Sequence, residues 1–226
     1  MAITEFILPS YKQTPESIEA FSSTVGPYLQ KILDEAPFKP KQLIFGKLVL
    51  ENGVDVSADF RPCIGLEWEK PDHFYAVLTG EGFKAFGSVV KPYSAGPPNT
   101  QLYETDLGPS EVFGSALTEV WQVRVGDGFE REEAARGAWK RFISAIGEVS
   151  AVKRIQGASL NLQEKLWSGV LGWESNEVSL VCKDEEDSWL TLRIKVREKV
   201  LDSAATKEAR EGLDGLLWNT FVATFA

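Results

Sequence analysis

The chain has one histidine, two cysteines and one methionine among its 226 residues. A single histidine, His73, excludes a multi-histidine metal site and an acid–base pair of two imidazoles. Cys63 and Cys182 fall in different halves, and one possible pair makes no disulfide framework, so buried, reduced thiols are expected. Basic residues are outnumbered, 24 Lys and Arg against 33 Asp and Glu, which gives a formal net charge of −9. The densest basic stretch, Arg193-Ile194-Lys195-Val196-Arg197-Glu198-Lys199, is short and carries its own acid. With no basic stripe for phosphates, nucleic acid is excluded as the expected partner. No apolar run approaches the ~20 residues needed to cross a bilayer. Met1-Ala2-Ile3-Thr4-Glu5 also lacks the basic start and apolar stretch of a signal peptide, so the expectation is a cytoplasmic protein with no membrane partner. There is no glycine-rich phosphate loop and no metal-ligand cluster, and Gly126-Asp127-Gly128 reads as a turn. No cofactor and no metal are expected.

What is present describes an ordinary globular protein, 43% hydrophobic and 25% charged, and it is written twice. Ile3-Thr4-Glu5-Phe6-Ile7 returns as Leu117-Thr118-Glu119-Val120-Trp121, and Leu66-Glu67-Trp68-Glu69 returns as Leu171-Gly172-Trp173-Glu174. A repeat of about 110 residues is too long for a solenoid unit and implies two fused copies of one small domain, residues 1–110 and 111–226.

The local signals give each copy the same order. Ile3 to Leu8 alternates as a strand, and Thr14-Pro15-Glu16 then supplies an N-cap, a first-turn proline and an early acid. The following helix runs to Asp34 or Glu35, with Gly26-Pro27 expected to kink or interrupt it. Leu43 to Leu50 and Val56 to Trp68 read as an antiparallel pair turning at Asn52-Gly53, because both residues tolerate positive φ. A helical region from Pro71 to about Pro92, split near Gly80 and Gly82, precedes a closing strand at Thr100 to Leu107. In the second copy the strands are Leu117 to Val125, Ile155 to Leu162, Lys165 to Trp173 and Leu216 to Phe225, with a helix over Glu130 to Ile146. Trp189 to Val196 alternates like a strand but also carries a helical stripe, and the matching spacing of Phe83, Phe86 and Val90 selects helix. Each copy is therefore β-α-β-β-α-β, the ferredoxin-like pattern. A four-stranded sheet with helices on one face leaves the other bare, and facing the two bare sheets gives an intramolecular, pseudo-dimeric α+β barrel. Such a chain is expected to be a monomer with pseudo-two-fold symmetry.

Gly172-Trp173-Glu174-Ser175, its partner Trp68-Glu69 and the aromatic turn Phe83-Lys84-Ala85-Phe86-Gly87 resemble the dimeric α+β barrel superfamily. Within it the likeness is to antibiotic-biosynthesis monooxygenase and stress-responsive barrel domains, as a tandem fusion of fungal type. The resemblance implies ligands in a cleft between sheet and helices. It also implies one of three activities: cofactor-free oxygenation of aromatic polyketides, haem degradation, or polyketide cyclisation and related isomerisation. Haem-degrading members and plant-type cyclases use a histidine in the second helical region, whereas Phe83 to Lys91 and Trp189 to Lys199 contain none.

Several residues are candidates for chemistry. His73 follows Asp72 and could act as a general base beside an aromatic-lined cleft, or be a surface histidine near a helix start. Tyr28 could donate to a developing oxyanion or simply pack in the core. Asp59 and Arg61 alternate on the expected third strand, either as a substrate-orienting pair or as a strand-edge salt bridge. Glu5 and Glu119 hold matching places among apolar neighbours on the two first strands, so both are expected to point inward. An inward carboxylate must be paired or have a raised pKa, making it a catalytic base or polar glue. Of seven tryptophans, Trp121, Trp139, Trp167, Trp173 and Trp189 lie in the second copy; with Trp68, they would line a pocket for an apolar or aromatic molecule or fill the core. The expected function is a cofactor-independent small-molecule enzyme, a cyclase or isomerase of secondary metabolism. The alternatives are a non-catalytic ligand-binding or stress-associated barrel, and a cofactor-free monooxygenase.

Overall fold

The computed structural model describes residues 1–125, 129–162, 165–174 and 189–225. Gly126-Asp127-Gly128, Ser175 and Cys182 lie outside the described residues. The chain opens with strand β1 (Ala2–Leu8) and helix α1 (Pro15–Ala20), whose N-cap Thr14 accepts from the Ser17 amide. Gly26-Pro27 does not break the helix. Proline has no amide to donate, and the ladder widens over a π-helical segment, Phe21–Val25, in which Gly26 N–H donates to the Phe21 carbonyl. The helix continues as α2 (Gly26–Glu35).

Strand β2 (Gln42–Glu51) turns through Asn52 and Gly53, at φ of 50° and 78°, into the two-residue β3 (Val54–Asp55). The long third strand expected from Val56 is shorter: β4 spans Pro62–Trp68. Residues 56–61 loop instead, because Asp55 caps the Ser57 amide and Gln13 takes the Phe60 amide, leaving those groups no ladder to join. Helices α3 (Pro71–Thr79) and α4 (Glu81–Val90) meet at an extended Gly80, and β5 (Asn99–Thr105) closes the half. A short helix with no counterpart in the sequence reading, α5 (Ser110–Phe113), links it to the second half. There β6 (Leu117–Arg124), α6 (Phe129–Val149), β7 (Lys153–Ser159) and β8 (Leu166–Trp173) come first. Helices α7 (Trp189–Leu201) and α8 (Ala204–Asp214) and strand β9 (Leu217–Phe225) follow. The ambiguous stretch from Trp189 is helix.

The strands form one antiparallel ring in the order β2-β4-β1-β5-β7-β8-β6-β9, with β9 pairing back onto β2 and β3 attached beside β2. Each half contributes four strands in the ferredoxin-like order, so the molecule is an α+β pseudo-dimeric barrel. Closure leaves neither half a free sheet edge along β2 or β5. The registers repeat as well. Ile3 lies opposite Trp68 and Glu5 opposite Leu66, as Leu117 lies opposite Trp173 and Glu119 opposite Leu171.

Alternation divides the side chains between two environments. Phe6, Tyr103, Val120, Val170 and Phe221 pack inside the barrel, where Phe6 meets Tyr103, Phe113 and Phe221 edge-on at 6.4, 5.7 and 5.8 Å. Gln122 donates to the Tyr103 hydroxyl at 2.7 Å and to Gln101, and accepts from Asn219 at 3.1 Å, which satisfies several polar groups buried there. The opposite faces carry two separate helix-covered cores, one per half. Among the described residues no helix is long and apolar enough to cross a membrane.

An isolated fragment of residues 1–110 would lose the β5–β7 and β2–β9 seams and bare the face holding Phe6 and Tyr103. It is expected to aggregate or dimerise, as read by size-exclusion chromatography with light scattering, whereas a well-behaved monomer would contradict the shared interior.

Candidate functional site

The site begins with strand alternation. Ile3, Glu5 and Ile7 share the helix-facing side of β1, and Trp68 of β4 reaches Glu5 diagonally across the ladder. Its indole N–H donates to Glu5 Oε2 at 2.6 Å. Among the described residues this is the one donor that reaches the carboxylate, and Glu5 is only 3% exposed. Burial pushes its pKa up to about 7, against the opposing pull of the Trp68 hydrogen bond.

Glu5 stands at the floor of a partly open cavity of about 80 Å³, room for a few water molecules. Ile64 and Leu66 complete the floor, Leu29 and Leu33 of α2 form one wall, and Phe83 and Phe86 of α4 the roof. Tyr11, from the loop after β1, stands at the same cavity. Its burial pushes the phenol up to about 12, so it remains a donor at neutral pH. None of the described residues lining the cavity is lysine, arginine or histidine. Helix α4 is loosely seated: it has no fully buried side chain, and it meets α3 at the extended Gly80.

The second half builds the same carboxylate and then cancels it. Trp173 Nε1 donates to Glu119 Oε2 at 2.9 Å, the counterpart of Trp68 and Glu5. Arg197 of α7 then clamps Glu119 through Nε at 2.9 Å and through Nη2, a bidentate pair on a carboxylate with no solvent exposure. Burial opposes the charge on Arg197, but Glu119 outweighs it and holds the guanidinium pKa up. Among the described residues, aromatic side chains take up the space between the sheet and α6. Trp139 of α6 presses on Gly169, where an added Cβ would come within 2.0 Å of the indole. Phe142 tilts against Trp121 at 4.7 Å, and all three aromatic side chains are buried. The corresponding helix of the first half offers only Val25, Leu29 and Leu33, and those smaller side chains leave the first cleft open.

The other sequence candidates are dispersed. His73 stacks on the exposed Phe38 at 4.2 Å and is not in the lining of the Glu5 cavity. Tyr28 stacks on Phe86 at 6.2 Å, on the far side of that roof residue. Asp59 and Arg61 do not alternate on a strand: Asp59 is exposed in the loop before β4, and Arg61 instead pairs with Glu51 at 2.7 Å near the barrel mouth. Trp121 is packed in the second core beneath Arg210, whose guanidinium lies 5.5 Å from its ring. Tyr11 and Arg197 were missed. The alternation around Glu119 called for a partner, but no local spacing pointed to one on α7. Among the described residues no group of three or more His, Cys, Asp or Glu could hold a metal ion.

No protein-family model matches the chain, and no curated protein is detectably similar to it. Solved structures do match over nearly its whole length. An anthrone oxidase-like protein is 13% identical, covering 99% of this chain and 91% of its own, at a TM-score of 0.60. A candidate monooxygenase from Lactobacillus acidophilus is 11% identical over 100% and 93%, at 0.52. A candidate chlorite dismutase is 9% identical over 100% and 95%, at 0.54. At these identities the likeness establishes the fold.

The two carboxylates should respond oppositely to removal of their charge. Glu5 is raised from 4.5 to about 7, so its contribution to stability is complete below the unfolded pKa and is lost as pH rises through 7. The loss is at most roughly 3 kcal/mol. Glu5→Gln, which can still accept from Trp68, should raise Tm at pH 8, with the gain vanishing near pH 5. Glu119→Gln strands a buried guanidinium and should lower stability by about 3–5 kcal/mol at either pH. Thermal melts of both variants across pH 5–8 check the contrast.

Proposed function

We propose that the chain is a cofactor-independent small-molecule enzyme, a cyclase or isomerase of secondary metabolism acting on a polyketide or other aromatic or apolar substrate. The observation that carries the reading is Glu5: a buried carboxylate with a pKa near 7, one indole partner and an apolar cavity above it. A group that titrates near the operating pH serves equally as base and conjugate acid. In the ionised form Glu5 removes a proton from carbon next to a carbonyl, and the electron pair moves onto the carbonyl oxygen. Tyr11, protonated at neutral pH, is the available donor to that oxygen. Return of the proton from Glu5 to a different carbon completes an isomerisation. Attack of the enolate carbon on a second carbonyl of the same molecule completes a cyclisation. Leu29, Leu33, Phe83 and Phe86 supply apolar walls, and since the cavity of about 80 Å³ holds only a few water molecules, an aromatic substrate would enter as α4 moves outward to widen it. The name of the anthrone oxidase-like neighbour motivates the second reading, cofactor-free oxygenation, for which the same base would deprotonate a phenol. The narrowness of the cavity favours a third, a non-catalytic binding protein.

The test uses proton exchange, which needs no knowledge of the natural substrate. The full chain is incubated with 2-tetralone in D2O and loss of the α-proton is followed by NMR. Exchange should accelerate with a base limb near pH 7 and fall at least about 100-fold in Glu5→Gln. Equal exchange in the variant would sink Glu5 as the base. Oxygen uptake with a dihydroxynaphthalene, abolished by the same substitution, would move the assignment to the oxygenase.

A further inference from the structure

The two halves present the same carboxylate with and without a cation. In the second, the two oxygens of Glu119 are shared between the Trp173 indole and the Arg197 guanidinium. The first half reproduces the indole, from Trp68 to Glu5, and no cationic side chain lines the cavity beside it among the described residues. The groups around Glu5 do not supply a substitute. Trp68 and Leu66 face it from β4, Leu102 lies opposite it on β5, and α2, α3 and α4 contribute Leu33, Phe74 and Phe86. Tyr11 is the other titratable side chain of the cavity and stays neutral below its pKa of about 12.

We infer that the first cleft selects a ligand with a cationic, nitrogen-donor head, an amidinium or ammonium on an apolar body, which docks on Glu5 as Arg197 docks on Glu119. This goes beyond the functional reading above and rests on the same cleft, with Glu5 anchoring a bound cation instead of acting as a base. A carboxylate ligand would face Glu5 with no counter-charge, and a neutral amide would forgo the charge-assisted bond. The apolar walls suit the remainder of the molecule, and the faces of Phe83 and Phe86 attract a cation electrostatically. Entry requires α4 to swing outward. Its half-buried Phe83 and Phe86 are the main apolar contacts to be given up, because none of its side chains is fully buried.

Binding to the full-length chain tests the inference with three isosteric probes: benzamidine, benzamide and benzoate. Each competes against the neutral fluorophore N-phenyl-1-naphthylamine. Benzamidine should displace the fluorophore at least about tenfold more effectively than benzamide at pH 8, and benzoate should fail. Benzamidine stays charged from pH 5.5 to 8 while Glu5 ionises. Its affinity should therefore climb about tenfold per pH unit and level off above 7, with benzamide flat. Glu5→Gln should erase the preference of benzamidine over benzamide and flatten its pH dependence, and the pH series on the unmodified chain stands should that variant fold poorly. A fluorophore that binds but is displaced equally by benzamidine and benzamide would overturn the cationic head and leave Glu5 catalysis intact. If neither fluorophore nor benzamidine binds, the cleft itself is refuted along with the inference.

Discussion

A carboxylate buried under an apolar helix layer must find a counter-charge or take up a proton, and this chain uses both solutions. The second half recruits Arg197, and α7 is then fixed from two directions. Its guanidinium is clamped on Glu119 while Val196 and Val200 sink into the core. The first half recruits no cation, so Glu5 holds its proton up to about pH 7 and α4 above it is left loosely packed. The missing cation accounts for the titrating group, while the smaller side chains of the first helix account for the open cavity.

The barrel tolerates this imbalance because its interior does not depend on it. Phe6, Tyr103, Phe113 and Phe221 pack together from both halves on the side of the sheet away from either cleft. The ring of strands closes on two seams, β2–β9 and β5–β7, and neither glutamate lies on a strand of either seam. The second half adds a dense core of its own, with Trp121, Trp139 and Phe142 in mutual contact. Duplication lets the two halves differ: among the described residues, buried aromatic side chains and Arg197 pack over the second sheet, whereas a cavity remains above Glu5.

Much of the fold was legible in the sequence, because its determinants are local. Alternation placed Glu5 with Ile3 and Ile7, and Glu119 with Leu117 and Trp121, on the faces where the structure has them. Asn52-Gly53 fixed the turn through positive φ, and the spacing shared with Phe83, Phe86 and Val90 decided in favour of helix at Trp189. The errors arose where side chains compete with the ladder. Gln13 and Asp55 captured amides of the 56–61 segment, which removed Asp59 and Arg61 from a strand. At the site the glutamates and their tryptophans were visible as a repeated pair, but the difference between them was not. Arg197 and Glu119 meet only once α7 lies across β6, and Tyr11 reaches the cavity from a loop with no periodicity to read.

The contrast between the helices has a consequence for access. Opening α7 would separate a buried ion pair and expose Val196 and Val200, whereas lifting α4 uncovers side chains none of which is fully buried. Local opening free energies follow buried apolar contact, so α4 belongs to the low-stability end of the molecule and α7 to the high end. The extended Gly80 separates the two helices, ending α3 and starting α4. Of the two helices, the more easily opened is therefore the one that covers the carboxylate without a cationic partner among the described residues.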